Sequence, residues 1–309
     1  MTVYVVGHKS PDTDSVTAAI AYAGLKKAQG VDAVAACQGE LNPETQMVLD
    51  KFGFSAPEIV TDAAGKQVIL VDHGDLAQAP DNLADGELLE VVDHHKVGDI
   101  TTNGPIFFYT KPVGCTGTIL KELYDTNSVE IPANVAGILL CAILSDTVLF
   151  KSPTCTEEDK KACDELAKIA GVDNMEALAM EMFKAKSAVA GVPARDLVFR
   201  DYKDFDMGGK KVGIGQLELV DLSLIDDVRD DLLKAVQEVK AEGRHSVFLM
   251  LTDIMKEGSD LMVVSDDPSV VEKAFGKKLE GTTVWVDGMM SRKKQAVPPL
   301  QEADRKSVV

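Results

Sequence analysis

The sequence predicts a two-domain α/β protein: a parallel-sheet N-terminal domain with flanking helices, then a smaller C-terminal α/β domain. Three observations carry that expectation. At 309 residues the chain is long enough for two apolar cores. Its first half alternates short β-branched runs with helical patterns, the mark of a parallel sheet covered by helices. A stretch of small residues and proline, "SAVAGVPA" over 187–194, then precedes a second set of strands. The expected boundaries are a first domain over 1–187, a linker over 188–194 and a second domain over 195–309.

The elements follow in order. "TVYVVG" reads as a strand, 15–29 as an amphipathic helix and "DAVAAC" as a second strand. A helix opens at "NPETQMVLDKF", with Asn42 as N-cap and Pro43 in the first turn. "QVILVD", "LLEVVD" and "PIFFYT" are further strands, and helices are expected over about 117–124, 132–144, 156–170 and 174–188. The second half restarts with strands near 203–207 and 211–217 and a helix from about 224 to 242. "SVFLMLTDI", "DLMVVSD" and "TTVWVDG" are three more strands, with a short helix at "PSVVEKAF".

Composition narrows the function. A formal net charge of -18 argues against general affinity for nucleic acid or an anionic membrane. An anionic substrate would need a local cationic site, either metal ions or a confined Lys/Arg cluster. The longest apolar stretch, "VAGILLCAIL" over 135–144, is about half a membrane span, and Met1 leads straight into a strand rather than a leader. Cys37, Cys115, Cys141, Cys155 and Cys163 form no C-x-x-C pair, which suits packing in a reducing cytosol. The expected location is cytoplasmic.

Three buried strands end in acid or imidazole. "GHKSPDTDS" follows the first and offers His8, Asp12 and Asp14 just before a helix. Alone, Asp14 or Ser15 reads as an ordinary N-cap, favoured by the helix dipole. "VILVDHGD" places Asp72, with His73 behind it, directly after an apolar run, and "LLEVVDHHK" repeats the arrangement at Asp93, His94 and His95. In an open parallel sheet the carboxyl ends of strands form the ligand crevice. Chance placement at three such ends is far less expected than at one. A fourth segment, "AGILLCAILSDTVLF", carries Asp146 into apolar surroundings, where an ionised carboxylate is costly unless paired or metal-bound. The bland alternative there is a helix-terminal Asp bonded to backbone amides.

Four of the five histidines fall in these segments, and only His245 lies outside. Imidazole plus carboxylate, with no thiol, favours Mn²⁺, Co²⁺, Fe²⁺ or Zn²⁺ over a dedicated Mg²⁺ site. The set suffices for two ions sharing a carboxylate, about 3.5–4 Å apart as in hydrolytic two-metal sites. "MMSRKKQAVPPL" adds Arg292, Lys293 and Lys294. A basic triplet is usually a solvated turn; facing a dimetal site it becomes a phosphate clamp. The two halves together suggest a cleft that closes on an anionic substrate.

In this order and spacing, "GHKSPDTDS", "VDH", "VVDHHK", "SDTVLFKSPT" and "SRKKQ" resemble the family II inorganic pyrophosphatases of the DHH phosphoesterase superfamily, in the short form without CBS domains. The similarity runs from the first strand to Gln295. It implies a DHH dimetal-binding domain and a DHHA2-type domain that together hydrolyse pyrophosphate to two phosphates. It implies two Mn²⁺ (or Co²⁺) per subunit, with additional Mg²⁺ accompanying the substrate, and a dimetal-activated bridging hydroxide as nucleophile. His8 and Asp12 would then hold one metal, Asp14, His94 and Asp146 the other, and Asp72 would bridge them. His95 would contact substrate and protonate the leaving phosphate, with Asp93 orienting a histidine behind it. Arg292 and Lys293 would bind the phosphate away from the attacked phosphorus, helped by Lys203, with Lys210 the fallback. The resemblance also implies a homodimer acting on a small molecule, with no nucleic acid and no membrane partner. The segment after Asp72 reads "HGD" where the family pattern has His-Asn-Glu, which leaves the role of Asp75 open. An exopolyphosphatase of the same superfamily shares the metal motifs, and a non-catalytic metal or phosphate sensor is a further reading. The GGGH-type motif of the superfamily's nucleases is not found.

Overall fold

The β-branched run Val3–Val6 forms strand β1, and the chain then alternates as the pattern requires. The computed structural model describes residues 1–189 and 191–305; Ala190, inside the expected linker, and 306–309, at the end of the expected second domain, lie outside them. Two compact units are present, Met1–Ala185 and Lys186–Val309. In the first, helix α1 (Thr13–Ala28) precedes β2 (Ala33–Cys37), α2 (Pro43–Phe52), a short β3 (Glu58–Ile59), β4 (Gln67–Val71), β5 (Glu87–Asp93) and β6 (Phe107–Thr110). Four helices follow: α3 (Thr116–Thr126), α4 (Ala133–Asp146), α5 (Glu157–Ala170) and α6 (Met175–Lys186).

The six strands are all parallel, in the order β3-β2-β1-β4-β5-β6. The order reverses at β1, whose neighbours are β2 on one side and β4 on the other. Such a switch point opens a crevice at the carboxyl ends of the strands. Local chemistry sets the helix ends. Asn42 Oδ1 accepts from Thr45 N–H (2.8 Å), Pro43 takes the first position, and Gly53 closes α2 at φ 75°. Helix α4 has no charged residue before Asp146 and is buried from Val135 through Ser145. A helix apolar on every face belongs inside the fold. A Cβ at Gly137 would overlap the Phe52 ring, so the close approach of α4 to α2 requires glycine there.

The second unit holds α7 (Ala194–Phe199), β7 (Tyr202–Met207), β8 (Lys210–Leu219), α8 (Arg229–Ala241), β9 (Ser246–Asp253), β10 (Gly258–Ser265), α9 (Ser269–Phe275), β11 (Thr283–Asp287) and α10 (Val297–Arg305). Its sheet runs β11-β10-β9-β8-β7, with only β8 and β9 parallel among these pairs. The central strand β9 is buried at every position. Its Val247, Leu249 and Leu251 pack into one apolar cluster with α8, while Phe248 and Met250 pack into another with α9 and α10. Alternation along a strand thus feeds two cores at once.

Several expected elements differ in detail. The helix expected from 224 starts as a 3₁₀ turn, Leu222–Val228, with Asp221 accepting from Ser223 N–H, and becomes α-helical only at Arg229. The proline read as a linker signal is the N-terminal flank of α7, where proline is at home. Helix α10 was not among the expected elements; Pro298 and Pro299 lie in its first turn, which tolerates a missing N–H. No helix among the described residues is long and apolar enough to cross a membrane.

Candidate metal centre

The carboxyl ends of β1, β4 and β5 bring the predicted acids and imidazoles together. After β1, a Cβ at Gly7 would overlap Ser15, so the loop folds tightly onto the start of α1. The N-cap is Asp12, whose Oδ1 accepts from Ser15 N–H (2.9 Å), rather than Asp14 or Ser15. That frees Asp14, fully buried in the first turn, to accept from Thr116 N–H (2.7 Å) and Gly117 N–H (3.1 Å) at the start of α3. Asp72 follows β4 with φ 62°, a left-handed conformation that costs a non-glycine residue about 1 kcal/mol or more. Strain of this kind at a buried carboxylate marks a functional position better than a packing one.

Asp72 is the hub. His8 Nε2 lies 3.3 Å from Asp72 Oδ2 and 3.4 Å from Asp12 Oδ2. His94 Nε2 lies 3.4 Å from Asp72 Oδ1 and 3.7 Å from Asp146 Oδ2. His95 Nδ1 is 3.6 Å from Asp72 Oδ1 and 2.9 Å from Asp93 Oδ1, and Asp93 also accepts from His95 N–H. Asp93 is therefore the carboxylate that orients His95. Three donor groups emerge: His8, Asp12 and Asp72; Asp72, His94 and His95; and Asp14, Cys115 and Asp146. Asp75 belongs to none of them; its Oδ1 accepts from Gln78 N–H within a turn.

These residues fit a metal centre on geometric grounds. His94 Nδ1–H donates to Val113 O (3.0 Å), which fixes the ring and turns Nε2 towards the carboxylates. Nε2 stands 3.4 Å from Asp72 Oδ1 and 3.7 Å from Asp146 Oδ2, beyond hydrogen-bond length, a spacing that a divalent cation held by the nitrogen and the carboxylates would fill. The charges agree. Burial and the neighbouring Asp72 and Asp12 push Asp14 up to about 8. His8 is pushed up to about 10 because Asp12 and Asp72 outweigh the effect of burial. Burial also acts on Asp72, but His8 and His94 hold its carboxyl well below the usual range. The cluster is short of positive charge, and divalent ions would supply it.

Asp146 is the last residue of α4, two positions beyond the expected helix end. The next turn is left-handed at Val148, Leu149 and Phe150 (φ 49°, 49° and 65°), three successive non-glycine residues. Hydrogen bonds from Val148 N–H to Ser145 O and from Leu149 N–H to Leu144 O tie it to the helix end. Two contributions escaped the sequence reading. Cys115, expected only to pack, lies with Asp14 and Asp146, and burial and these acids push its thiol well up. Thr116 hydroxyl donates to Asp72 Oδ1 (3.1 Å). The available signal was a small polar run, "GCTGT", at a helix start after a strand.

The predicted basic residues lie in the second unit. Within "SRKKQ", where a solvated turn was the bland alternative to a phosphate clamp, Arg292–Ala296 forms one π-helical turn leading into α10. Gln295 secures it, with Oε1 accepting from Met290 and Ser291 N–H and Nε2 donating to Gly288 O. Arg292 is 5% exposed and not solvated: Nη2 donates to Asp201 Oδ1 and Nη1 to Asp201 O, both at 2.6 Å. Burial acts to raise the Asp201 carboxyl, but Arg292, Lys203 and Lys293 together hold it down, so Lys203 and Lys293 share that neighbourhood. Lys210 acts instead on Asp267.

Residues 2–143 match the model of the DHH family, N-terminal domain, and residues 180–303 match the DHHA2 domain. An Archaeoglobus fulgidus protein named "Probable manganese-dependent inorganic pyrophosphatase" is 56% identical, over 97% of this chain and 98% of its own. A Methanothrix thermoacetophila "Manganese-dependent inorganic pyrophosphatase" is 48% identical over 98% and 99%. The crystal structure of a Methanococcus jannaschii "putative family II inorganic pyrophosphatase" superposes with a TM-score of 0.85 at 46% identity, covering 98% of this chain and 99% of that one.

Proposed function

This chain belongs to the manganese-dependent inorganic pyrophosphatases of the DHH family, and on that premise we propose that it hydrolyses inorganic pyrophosphate to two phosphates. The observation that carries the proposal is Asp72, buried and strained, with His8 and His94 nitrogens at 3.3 and 3.4 Å from its two oxygens. On this reading His8 and Asp12 would hold one Mn²⁺ or Co²⁺, Asp14, His94 and Asp146 would hold the second, and Asp72 would be shared. Bound divalent ions supply Lewis acidity and lower the pKa of a coordinated water towards neutrality, with further Mg²⁺ arriving with substrate.

The chain's own groups do the rest. Asp93 takes the Nδ1–H of His95 at 2.9 Å, which leaves Nε2 to hold or deliver a proton at the leaving phosphate. Arg292, Lys293 and Lys203 bind the leaving phosphate, where Arg supplies a planar fork and each Lys a point charge. The proposal includes a cytoplasmic homodimer, in keeping with the family. A coupled phosphate-release assay on chelator-stripped, Mn²⁺-reloaded protein tests the function, using pyrophosphate, tripolyphosphate and short RNA. Pyrophosphate should be hydrolysed far fastest. Faster turnover of longer polyphosphate would point to the exopolyphosphatase branch, and no phosphate release from any of them would exclude an enzyme of this class.

A further inference from the structure

Residues 113–118 lend no side chain to the proposed metal ligands, yet they touch three of them. Val113 O receives His94 Nδ1–H at 3.0 Å. Thr116 N–H and Gly117 N–H donate to the two oxygens of Asp14, and Thr116 hydroxyl donates to Asp72 Oδ1 at 3.1 Å. That hydroxyl occupies one lone pair of the shared carboxylate and so decides which others face the ions.

The segment is itself held from outside, by Asp159. This carboxylate is fully buried and accepts from Gly114 N–H (2.9 Å), Thr118 hydroxyl (2.5 Å), Thr156 N–H (2.7 Å) and Thr156 hydroxyl (2.6 Å). A helix capping box accounts for the Thr156 bonds alone. The bonds to Gly114 and Thr118 do something else: they fasten the start of α5 to the segment that orients the ligands. Gly114 permits the approach, since a Cβ there would lie 2.8 Å from Asp159 Oδ2 and 2.7 Å from Thr147 Cγ2, next to Asp146.

Resting on the pyrophosphatase reading, we propose that Thr116 and Asp159 are positioning residues for the metal centre, Thr116 by orienting Asp72 and Asp159 by clasping residues 114–118. Thr116→Val keeps the shape and removes the hydroxyl; Thr116→Ser keeps the hydroxyl. Asp159→Asn places an amide N–H₂ where donors point. The measurement is Mn²⁺ binding to the stripped full-length chain, followed by the EPR signal of free Mn²⁺, with the visible spectrum of the Co²⁺ form and the metal-free Tm alongside.

Thr116→Val should weaken at least one Mn²⁺ by about 10- to 100-fold and alter the Co²⁺ bands at near-unchanged metal-free Tm. Thr116→Ser should bind as wild type does. Asp159→Asn should lose Mn²⁺ affinity well below its own Tm; if that variant does not fold, Thr118→Val reads the same clasp. Wild-type Mn²⁺ affinity and Co²⁺ spectrum in Thr116→Val overturns the role of Thr116, as does Thr116→Ser binding as weakly as Thr116→Val. The same wild-type behaviour in the folded clasp variant overturns the role of Asp159. A wild-type chain that fails to bind Mn²⁺ sinks this proposal and the functional one together. One that binds Mn²⁺ but spares pyrophosphate sinks the functional one alone.

Discussion

Replacing Arg292 and Lys293 singly by Ala should separate a buried cation from an exposed one. Arg292 is 5% exposed and makes two 2.6 Å bonds to Asp201, one to the carboxylate and one to the backbone carbonyl. A hydrogen bond to a charged group is worth about 1.5–3 kcal/mol, but the Asp201 side chain is 54% exposed and solvent screens that half of the pairing. Losing both bonds should therefore cost the fold roughly 2–4 kcal/mol, in keeping with truncation of a largely buried pair. Lys293 is exposed, and its removal should shift stability by no more than about 0.5 kcal/mol. Both variants should nonetheless lose about 10- to 100-fold in kcat/KM for pyrophosphate with Mn²⁺ affinity unchanged, because each is proposed to bind phosphate and neither to hold a metal. Urea titration gives the stability, steady-state phosphate release the kinetics and EPR the Mn²⁺ affinity. Wild-type kcat/KM in Lys293→Ala refutes the phosphate role. So does an Arg292→Ala loss no larger than its unfolded fraction.

Asp72→Asn should release Mn²⁺ from both positions and abolish hydrolysis while the chain stays folded, since Asn tolerates the left-handed backbone found there (φ 62°); two tightly held ions in the purified variant would disprove the sharing. After chelation, Mn²⁺ or Co²⁺ should restore far more activity than Mg²⁺ alone, because imidazole nitrogen suits the former; equal rates with Mg²⁺ would count against His8 and His94 as ligands. Asp201 is held below its ordinary range in the folded state, so its pairing stabilises the second unit above about pH 4 and is lost as pH falls through the carboxylate range. Acid titration of Asp201→Asn should show a shallower loss of stability than wild type, and an identical acid slope would refute the pairing.

Much of the candidate centre was legible because the residues proposed as its ligands sit where pattern and chemistry coincide. Asp72 and Asp93 are the first polar residues after apolar strand runs, with His94 directly behind Asp93, and a parallel sheet sends such positions to its carboxyl edge. Asp12 and Asp14 were legible as a pair, but the cap was expected at Asp14 or Ser15; it falls on Asp12, and tertiary contact with α3 turns Asp14 inward. Residues 113–118 were missed because they act mostly through a carbonyl and two amides, and backbone groups leave no trace in residue type; the small polar run that carries the Thr116 hydroxyl was the one signal. The left-handed turn was hidden for the opposite reason. Val148, Leu149 and Phe150 are residues for which that conformation is disfavoured, so their identities argue against what they do. In the second unit Arg292 was legible as a cation, while its burial depended on Asp201, ninety-one positions away in the chain.

That turn has a consequence for anyone trying to make the protein hardier. Three successive left-handed residues at about 1–2 kcal/mol each store strain comparable to a sizeable share of a domain's net stability. A thermostability screen would find it quickly: glycine or asparagine at 149 relieves the backbone, and such variants should be enriched among heat-tolerant clones. Yet the turn begins two residues after Asp146 and is bonded back to the end of its helix. Relaxation there would let that carboxylate wander. Hardier clones carrying such changes should thus need more Mn²⁺ in the medium to reach full turnover, a trade that breeding for heat alone would conceal.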